Sequence, residues 1–409
     1  MREVLTFILA GGKGERLNPL TRDRAKPAVP FGGIYRIIDF TLSNCINSGL
    51  RRIYVLIQYK SFSLQKHILS GWDIVSSQLG EFIDVIPPQQ RISSDWYKGT
   101  ADAIYQNSYA VRDHNSQLVL ILAGDHIYKM DYRKMIEHHQ DMDADLTVAC
   151  VEMPKENSTS LGVVEVDKKG YVTGFQEKPA DPKTVPGDPK KIFASMGIYL
   201  FRQEALFEEL ELDAKSNSDH DFGKNIIPQM IKNKRKVCYY NFVDENGRPK
   251  YWRDIGTRDA YYQANMDLVR PSPEFDLFDK SWPVRTFHAQ FPPIKIMSAQ
   301  EGKTTHSGSV VDSLIAGGCV ISGGEIKKSV LSSNVRIGDH AVINDAILME
   351  SVVVGEHSKI KNAIIDKEVI IPPYSEIGYN LELDRKRFDV TTSGIVIVAK
   401  KASLSKPDL

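Results

Sequence analysis

Between Val320 and Ile377, β-branched apolar residues return every seventeen positions, and that period constrains the fold more than any other feature of the chain. Val320, Ile337, Val354 and Ile371 form one column. Ile326, Ile343, Ile360 and Ile377 form a second, six residues on, and Val330, Ile347 and Ile364 form a third. Three columns that share one period need equal coils stacked in register, because only then does each column bury a continuous stripe. Evenly spaced strands of an antiparallel meander are the ordinary alternative, but they give no reason for three columns to keep step. The C-terminal part is therefore expected to be a three-sided parallel β-helix.

The chain before it has a different texture. From Met1 to about Arg270, short apolar runs at Val4 to Leu9, Ile53 to Ile57, Leu118 to Leu122 and Leu146 to Val151 alternate with helix-length amphipathic stretches. That is the pattern of a mainly parallel sheet with crossover helices, an α/β, Rossmann-like arrangement. Pro271, Pro273, Pro283, Pro292 and Pro293 then break up any regular element. The expected organisation is an α/β domain over 1–270, a proline-rich linker over 271–302 and the β-helix over 303–409.

The 52 basic residues balance the 52 acidic ones, so charge favours neither nucleic acid nor an anionic membrane as a partner. Cys45, Cys150, Cys238 and Cys319 lie too far apart for a zinc or redox motif and read as buried thiols in a reducing compartment. Val4 to Ala10 is one strand long and runs into Gly-Gly-Lys-Gly without the flanks of a signal peptide. A cytoplasmic location is expected.

Ligands of parallel sheets bind beyond the carboxyl ends of the strands, where Gly11 and Asp125 fall. The first motif runs from Leu9 through Gly11, Gly12, Lys13, Gly14, Glu15 and Arg16 to Leu17, and continues to Ala25-Lys26-Pro27. Glycines there let backbone amides approach phosphate oxygens, while Lys13, Arg16 and Lys26 supply countercharge. The spacing matches neither the dinucleotide fingerprint nor the P-loop. Taken alone the cluster is as compatible with a tight turn, Asp125 with a helix cap, and the Glu177-Lys178 pair with a solvated hairpin end.

The Gly-Gly-x-Gly-x-Arg-Leu element with its downstream Ala-Lys-Pro resembles the signature of sugar-1-phosphate nucleotidyltransferases. Further segments narrow the resemblance to the ADP-glucose pyrophosphorylase family: Arg36-Ile-Ile-Asp-Phe40, Trp96-Tyr-Lys-Gly-Thr-Ala-Asp102, Leu122-Ala-Gly-Asp-His-Ile-Tyr128, Glu177-Lys-Pro179, Ala194-Ser-Met-Gly-Ile-Tyr199 and Tyr251-Trp-Arg-Asp-Ile-Gly-Thr257. They follow the family's order from residue 5 into the repeat region. The resemblance implies a left-handed hand for the β-helix and transfer of an adenylyl group from ATP to glucose 1-phosphate. ADP-glucose for glycogen synthesis and pyrophosphate are the implied products.

By the same carry-over, Arg16, Asp125, Lys178 and Asp254 are the implied catalytic residues, with Asp125 and Asp254 holding Mg2+. The implied nucleotide-binding residues are Gly11, Gly12, Gly14 and Lys26, with Gln89, Gln90, Gly99 and Thr100 toward the base. Tyr97, Gly162, Glu177, Lys178 and Ser195 are implied to bind glucose 1-phosphate. Arg36, Arg385 and Arg387 resemble residues that bind phosphorylated effectors, and the family's closed tetramer implies a homotetramer or a heterotetramer with a paralogous subunit. Lys386 completes a basic run that, without the resemblance, reads as a solvated charge cluster. The chain departs from the family at Ile34, where many bacterial members have a lysine, so the identity of the activator does not carry over.

Rival readings keep the loop and change the chemistry. UDP-glucose or GDP-mannose synthesis uses a similar loop, and the Trp96-Tyr97 and Tyr251 to Asp254 segments are what favour the ADP-glucose branch. An acyltransferase role for the β-helix lacks a placed histidine base, His340 and His357 reading as surface residues. A catalytically silent regulatory subunit is expected to lose Arg16, Asp125, Lys178 or Asp254, and this chain keeps all four.

Overall fold

The computed structural model describes residues 3–89, 96–114, 116–301, 304–402 and 404. Its N-terminal sheet has nine strands. Val4–Leu9 lies near the middle, parallel to Arg52–Leu56 on one side and to Leu118–Ala123 on the other, with Phe82–Ile86 parallel beyond Arg52–Leu56. The long strand Lys191–Arg202 runs antiparallel to Leu118–Ala123, Leu146–Pro154 and Gly162–Val166, which makes the sheet mixed. Both faces are covered. Val4 and Ile8 belong to one buried cluster and Leu5 and Phe7 to another, the alternation expected when helices pack on both sides of a strand.

No helix or strand occupies 269–294, yet the segment is pinned along the helix Ile37–Asn47. Trp282 Nε1 donates to Asn44 Oδ1 at 2.8 Å, Asn47 Nδ2 to the Pro283 carbonyl at 2.9 Å, and the Arg285 amide to Ser43 Oγ at 2.8 Å.

Beyond it, short parallel strands stack into three ladders of a left-handed β-helix. Its first strand, Lys295–Met297, pairs with Val320–Ser322 and so lies inside the segment read from the sequence as linker. Left-handed backbone turns each corner, at Asp312, Lys328, Asp345 and Asn362, at Asn334, Ser351 and Glu368, and at His340, His357 and Tyr374. Three of these positions are Asn or Asp at the first corner, residue types that tolerate that conformation best after glycine. His340, His357 and Tyr374 stack their rings along one corner with centroids 4.9 and 5.0 Å apart.

One column differs from its reading in the sequence, and another is buried on the side away from the coil interior. The first is headed by Ile321, which pairs with Ile337; Val320 pairs with Arg336 instead. The early coils also pair Val310 with Ile326 and Leu314 with Val330, so they are one residue shorter than the later ones and the strict period slips there. The third column, Val330, Ile347 and Ile364, does not line the interior. It continues into Ile397 and faces outward, in one buried cluster with Leu17, Leu20, Val29, Phe31 and Tyr261 of the N-terminal domain. The interior is lined by their neighbours Leu331, Leu348, Ile365 and Val398. Burying each stripe side chain contributes roughly 1.5 to 3 kcal/mol, so the two bodies are held by a shared buried hydrophobic cluster.

Candidate active site

The register of a two-stranded pairing builds the centre of the site. Trp252–Asp254 runs antiparallel to His126–Tyr128 and sets Asp254 opposite His126, which brings Asp125 and Asp254 together across 129 positions of chain. Lys26 lies between them. Its ammonium is 2.6 Å from Asp125 Oδ2 and 3.2 Å from Asp254 Oδ1. Burial lowers the pKa of Lys26, but the two carboxylates more than offset it and hold it above the usual lysine value. Burial likewise pushes Asp125 up, and Lys26 and His126 outweigh it, pulling Asp125 down to about 2. Asp125 is therefore an anion at neutral pH.

Asp125, His126 and Asp254 each offer one ligand atom, all within 4.8 Å of one another. Two carboxylates with room for substrate oxygens suit a hard divalent cation. The donor set therefore fits a divalent metal.

The glycine-rich loop walls the adjoining cleft, about 350 Å3 in volume and lined by Gly12, Lys13, Gly14, Arg16, Lys26 and Asp125. Gly14 has φ 65°, and a Cβ there would come within 3.2 Å of the Lys26 Cβ, so glycine lets the loop close over the lysine stem without crowding it. Gly11 packs against Gln58, whose Nε2 donates to the Tyr97 carbonyl at 3.3 Å and so links the loop to the Trp96 to Thr100 segment. Arg16 is exposed and also borders a smaller recess with Trp252, Asp254 and Thr257.

A second group of residues gathers farther along the sheet. Glu177 sits opposite Gly162 across two antiparallel strands. Lys178 follows in left-handed conformation, φ 51°, and its ammonium donates to Glu177 Oε1. Ser195 is buried and bonds Tyr199, which lies close enough to Glu177 and Asp221 to feel their charges. Tyr97 is half-buried, its hydroxyl accepting from Asn107 Nδ2 at 2.9 Å. Gly99 packs so closely on residues 219–220 that a Cβ would lie 2.2 Å from two carbonyl oxygens. The His220 carbonyl then accepts the Ala101 amide at 2.8 Å, capping the helix Thr100–Gln106, while Thr100 Oγ1 donates to Asp221 Oδ2 at 2.9 Å.

Residues 5–270 match the nucleotidyl transferase family, and residues 292–398 match the GlmU-like C-terminal hexapeptide family. The chain is 51% identical over 408 residues to glucose-1-phosphate adenylyltransferase of Koribacter versatilis, covering 99% of this chain and 97% of that protein. It is 51% identical to the protein of the same name from Rhodopirellula baltica, over 100% of this chain and 92% of that one. Glucose-1-phosphate adenylyltransferase 2 of Vibrio cholerae is 49% identical over 99% of this chain and the whole of that protein. The chain belongs to the glucose-1-phosphate adenylyltransferase family.

In this adenylyltransferase-family chain, Lys26, Asp125 and Asp254 meet at one centre with Arg16 lining the cleft beside it, and Tyr97, Gly99, Thr100, Gly162, Glu177, Lys178 and Ser195 lie on the segments just described. Gln89 is exposed, and Gln90 lies outside the described residues. The three effector candidates are not brought together. Arg36 bonds Ser63 and lines a cavity of about 630 Å3 between the two domains, with Arg24, Lys66, Glu350 and Lys367. Arg385 and Arg387 lie on the helix Leu381–Arg387 and line a separate recess of about 310 Å3 at the end of the β-helix. Sequence reading missed Gln58, His126, Asp221 and Trp252. Only His126 and Trp252 had a signal, as immediate neighbours of candidate residues within quoted motifs.

Proposed function

We propose that the chain joins ATP and α-D-glucose 1-phosphate into ADP-glucose with release of pyrophosphate, supplying activated glucose for α-1,4-glucan synthesis. The observation that carries the reading is the meeting of Asp125, Asp254 and Lys26 beside the glycine-rich cleft.

The phosphate of glucose 1-phosphate is already an anionic nucleophile, so no general base is required. It attacks the α-phosphorus of ATP in line as pyrophosphate leaves, and the protein's part is positioning and charge neutralisation. Lys178 holds the attacking phosphate as a point charge, and Glu177 accepts from the sugar hydroxyls, with Tyr97, Gly162 and Ser195 shaping that pocket. Arg16, with the amides of Gly11, Gly12 and Gly14, stabilises the departing pyrophosphate, and Gln89, Gly99 and Thr100 lie toward the base. Asp125 and Asp254 would hold Mg2+, which when bound neutralises charge on the polyphosphate.

Exposed apolar surface and two cationic cavities support an assembling, regulated protein, and the cysteines a reducing compartment. Ile370, Tyr374, Tyr379 and Leu383 are each exposed near the end of the β-helix, apolar surface that a further subunit of a tetramer would cover. Arg36 in the interdomain cavity, and Arg385 with Arg387 in the end recess, offer cationic sites for phosphorylated effectors. All four cysteines are buried and unpaired, in keeping with a reducing compartment. Among the described residues no helix is long and apolar enough to cross a membrane.

The test is pyrophosphate release with glucose 1-phosphate and each of ATP, UTP, GTP and CTP. ATP is expected to give by far the highest kcat/KM. Comparable turnover with UTP or GTP would move the chain to another branch of sugar-nucleotide synthesis.

A further inference from the structure

Arg24 stands two residues before Lys26, on the same turn of chain, and is nearly fully buried. One guanidinium nitrogen, Nη2, donates to both carboxylate oxygens of Asp366, at 2.6 and 2.7 Å. Asp366 is fully buried at the end of the β-helix strand Lys359–Ile365, 342 positions away, and its Oδ1 also accepts the Lys367 amide at 2.7 Å. The other terminal nitrogen of Arg24 rests 3.8 Å from the sulfur of Met349. Lys60 also fixes the same turn. Its ammonium donates to the Thr21 carbonyl at 2.9 Å, and its carbonyl accepts the Ala25 amide at 3.2 Å.

A buried ion pair is a poor device for stability alone, because well-packed apolar residues of similar volume do as well or better. What a guanidinium–carboxylate contact adds is fixed geometry. The group that needs fixed geometry here is Lys26, whose stem packs under Gly14 and whose ammonium reaches both Asp125 and Asp254. Arg24 does not line the catalytic cleft; it lines the cavity between the two domains.

We propose that Arg24 and Asp366 are positioning residues, through which the β-helix sets the place of Lys26 in the nucleotide cleft. The proposal rests on the reading of that cleft as the reaction site. It makes the β-helix part of the catalytic machinery at one remove: the repeat domain contributes no group to the reaction, but it holds the turn that does.

A cycle of variants tests it. Asp366→Asn is expected to lower kcat by roughly 10- to 100-fold, the scale of a displacement of about one ångström in a positioned group. In a Lys26→Ala background the same change should cost nothing further, because the group it acts through is gone. A second variant, Arg24→Met with Asp366→Leu, separates positioning from folding: it is expected to keep the wild-type Tm and still show the lowered kcat. Equal fractional losses with and without Lys26, or an apolar pair that recovers kcat along with Tm, would overturn the proposal. Calorimetric binding of ATP with Mg2+ to the same proteins reads Lys26 independently of the product. Affinity should fall with Asp366→Asn in the wild-type background only, and a fall of equal size in both would overturn the coupling. A wild-type chain that bound ATP but made another nucleotide sugar would count against the adenylyltransferase reading alone.

Discussion

Replacing Asp125 with asparagine is expected to lower kcat by roughly two to three orders of magnitude at saturating substrates, the usual cost of removing one preorganised charge from a transition-state site. The side chain keeps its size, and Lys26 keeps Asp254 as a partner at 3.2 Å, so the fold should survive the change. What is lost is one of two carboxylates that the pairing of Trp252–Asp254 with His126–Tyr128 brings to the same point. The check is steady-state turnover over a wide range of Mg2+ concentration, with the melting temperature measured beside it. A kcat that returned to the wild-type value at saturating Mg2+ would make Asp125 a structural partner of Lys26 and no more.

Lys178→Ala should raise KM for glucose 1-phosphate by about 10- to 100-fold while leaving KM for ATP nearly unchanged. A hydrogen bond to a charged group contributes about 1.5 to 3 kcal/mol, which converts to that range. Lys178 is partly exposed and held by Glu177, so its ammonium is available to an incoming phosphate. Its left-handed backbone complicates the variant, since alanine at φ 51° is strained. Lys178→Asn, a residue at ease in that conformation, serves as the control and should show the same selective rise. Equal shifts in the two KM values would remove Lys178 from the sugar-phosphate site.

Much of this was legible in the sequence, for identifiable reasons. Strand identity followed from apolar runs at Val4 to Leu9 and Leu118 to Leu122, because a strand buried on both faces has little polar alternation to obscure it. The β-helix followed from the period, since stacking repeats the same demand at every coil. Where the coils shorten, between Val310 and Ile337, the period misassigned Val320 for Ile321. Periodicity also cannot say which side of a wall a residue faces when both sides are buried. The period therefore places Val330, Ile347 and Ile364 in a buried stripe without telling that it is the surface that docks the two domains.

The candidate site divides in the same way. Asp125 and Asp254 were found through their motifs, but nothing local to Lys26 foretold its bonds to partners 99 and 228 positions away. Nor was Asp221 visible: its contact with Thr100 depends on the close approach that Gly99 permits to the backbone of residues 219–220. Arg36, Arg385 and Arg387 were grouped by charge and resemblance, and charge alone carries no information about which cavity a side chain lines.

The proposed reaction is a single in-line transfer of the adenylyl group to glucose 1-phosphate, with no covalent intermediate on the protein. The most direct measurement is the configuration at phosphorus when ATP bearing one sulfur on its α-phosphate, of known configuration, is the donor. One displacement predicts a thio-substituted ADP-glucose whose α-phosphorus is inverted. Retention would mean two successive displacements, and would contradict the account by requiring a nucleophile on the protein.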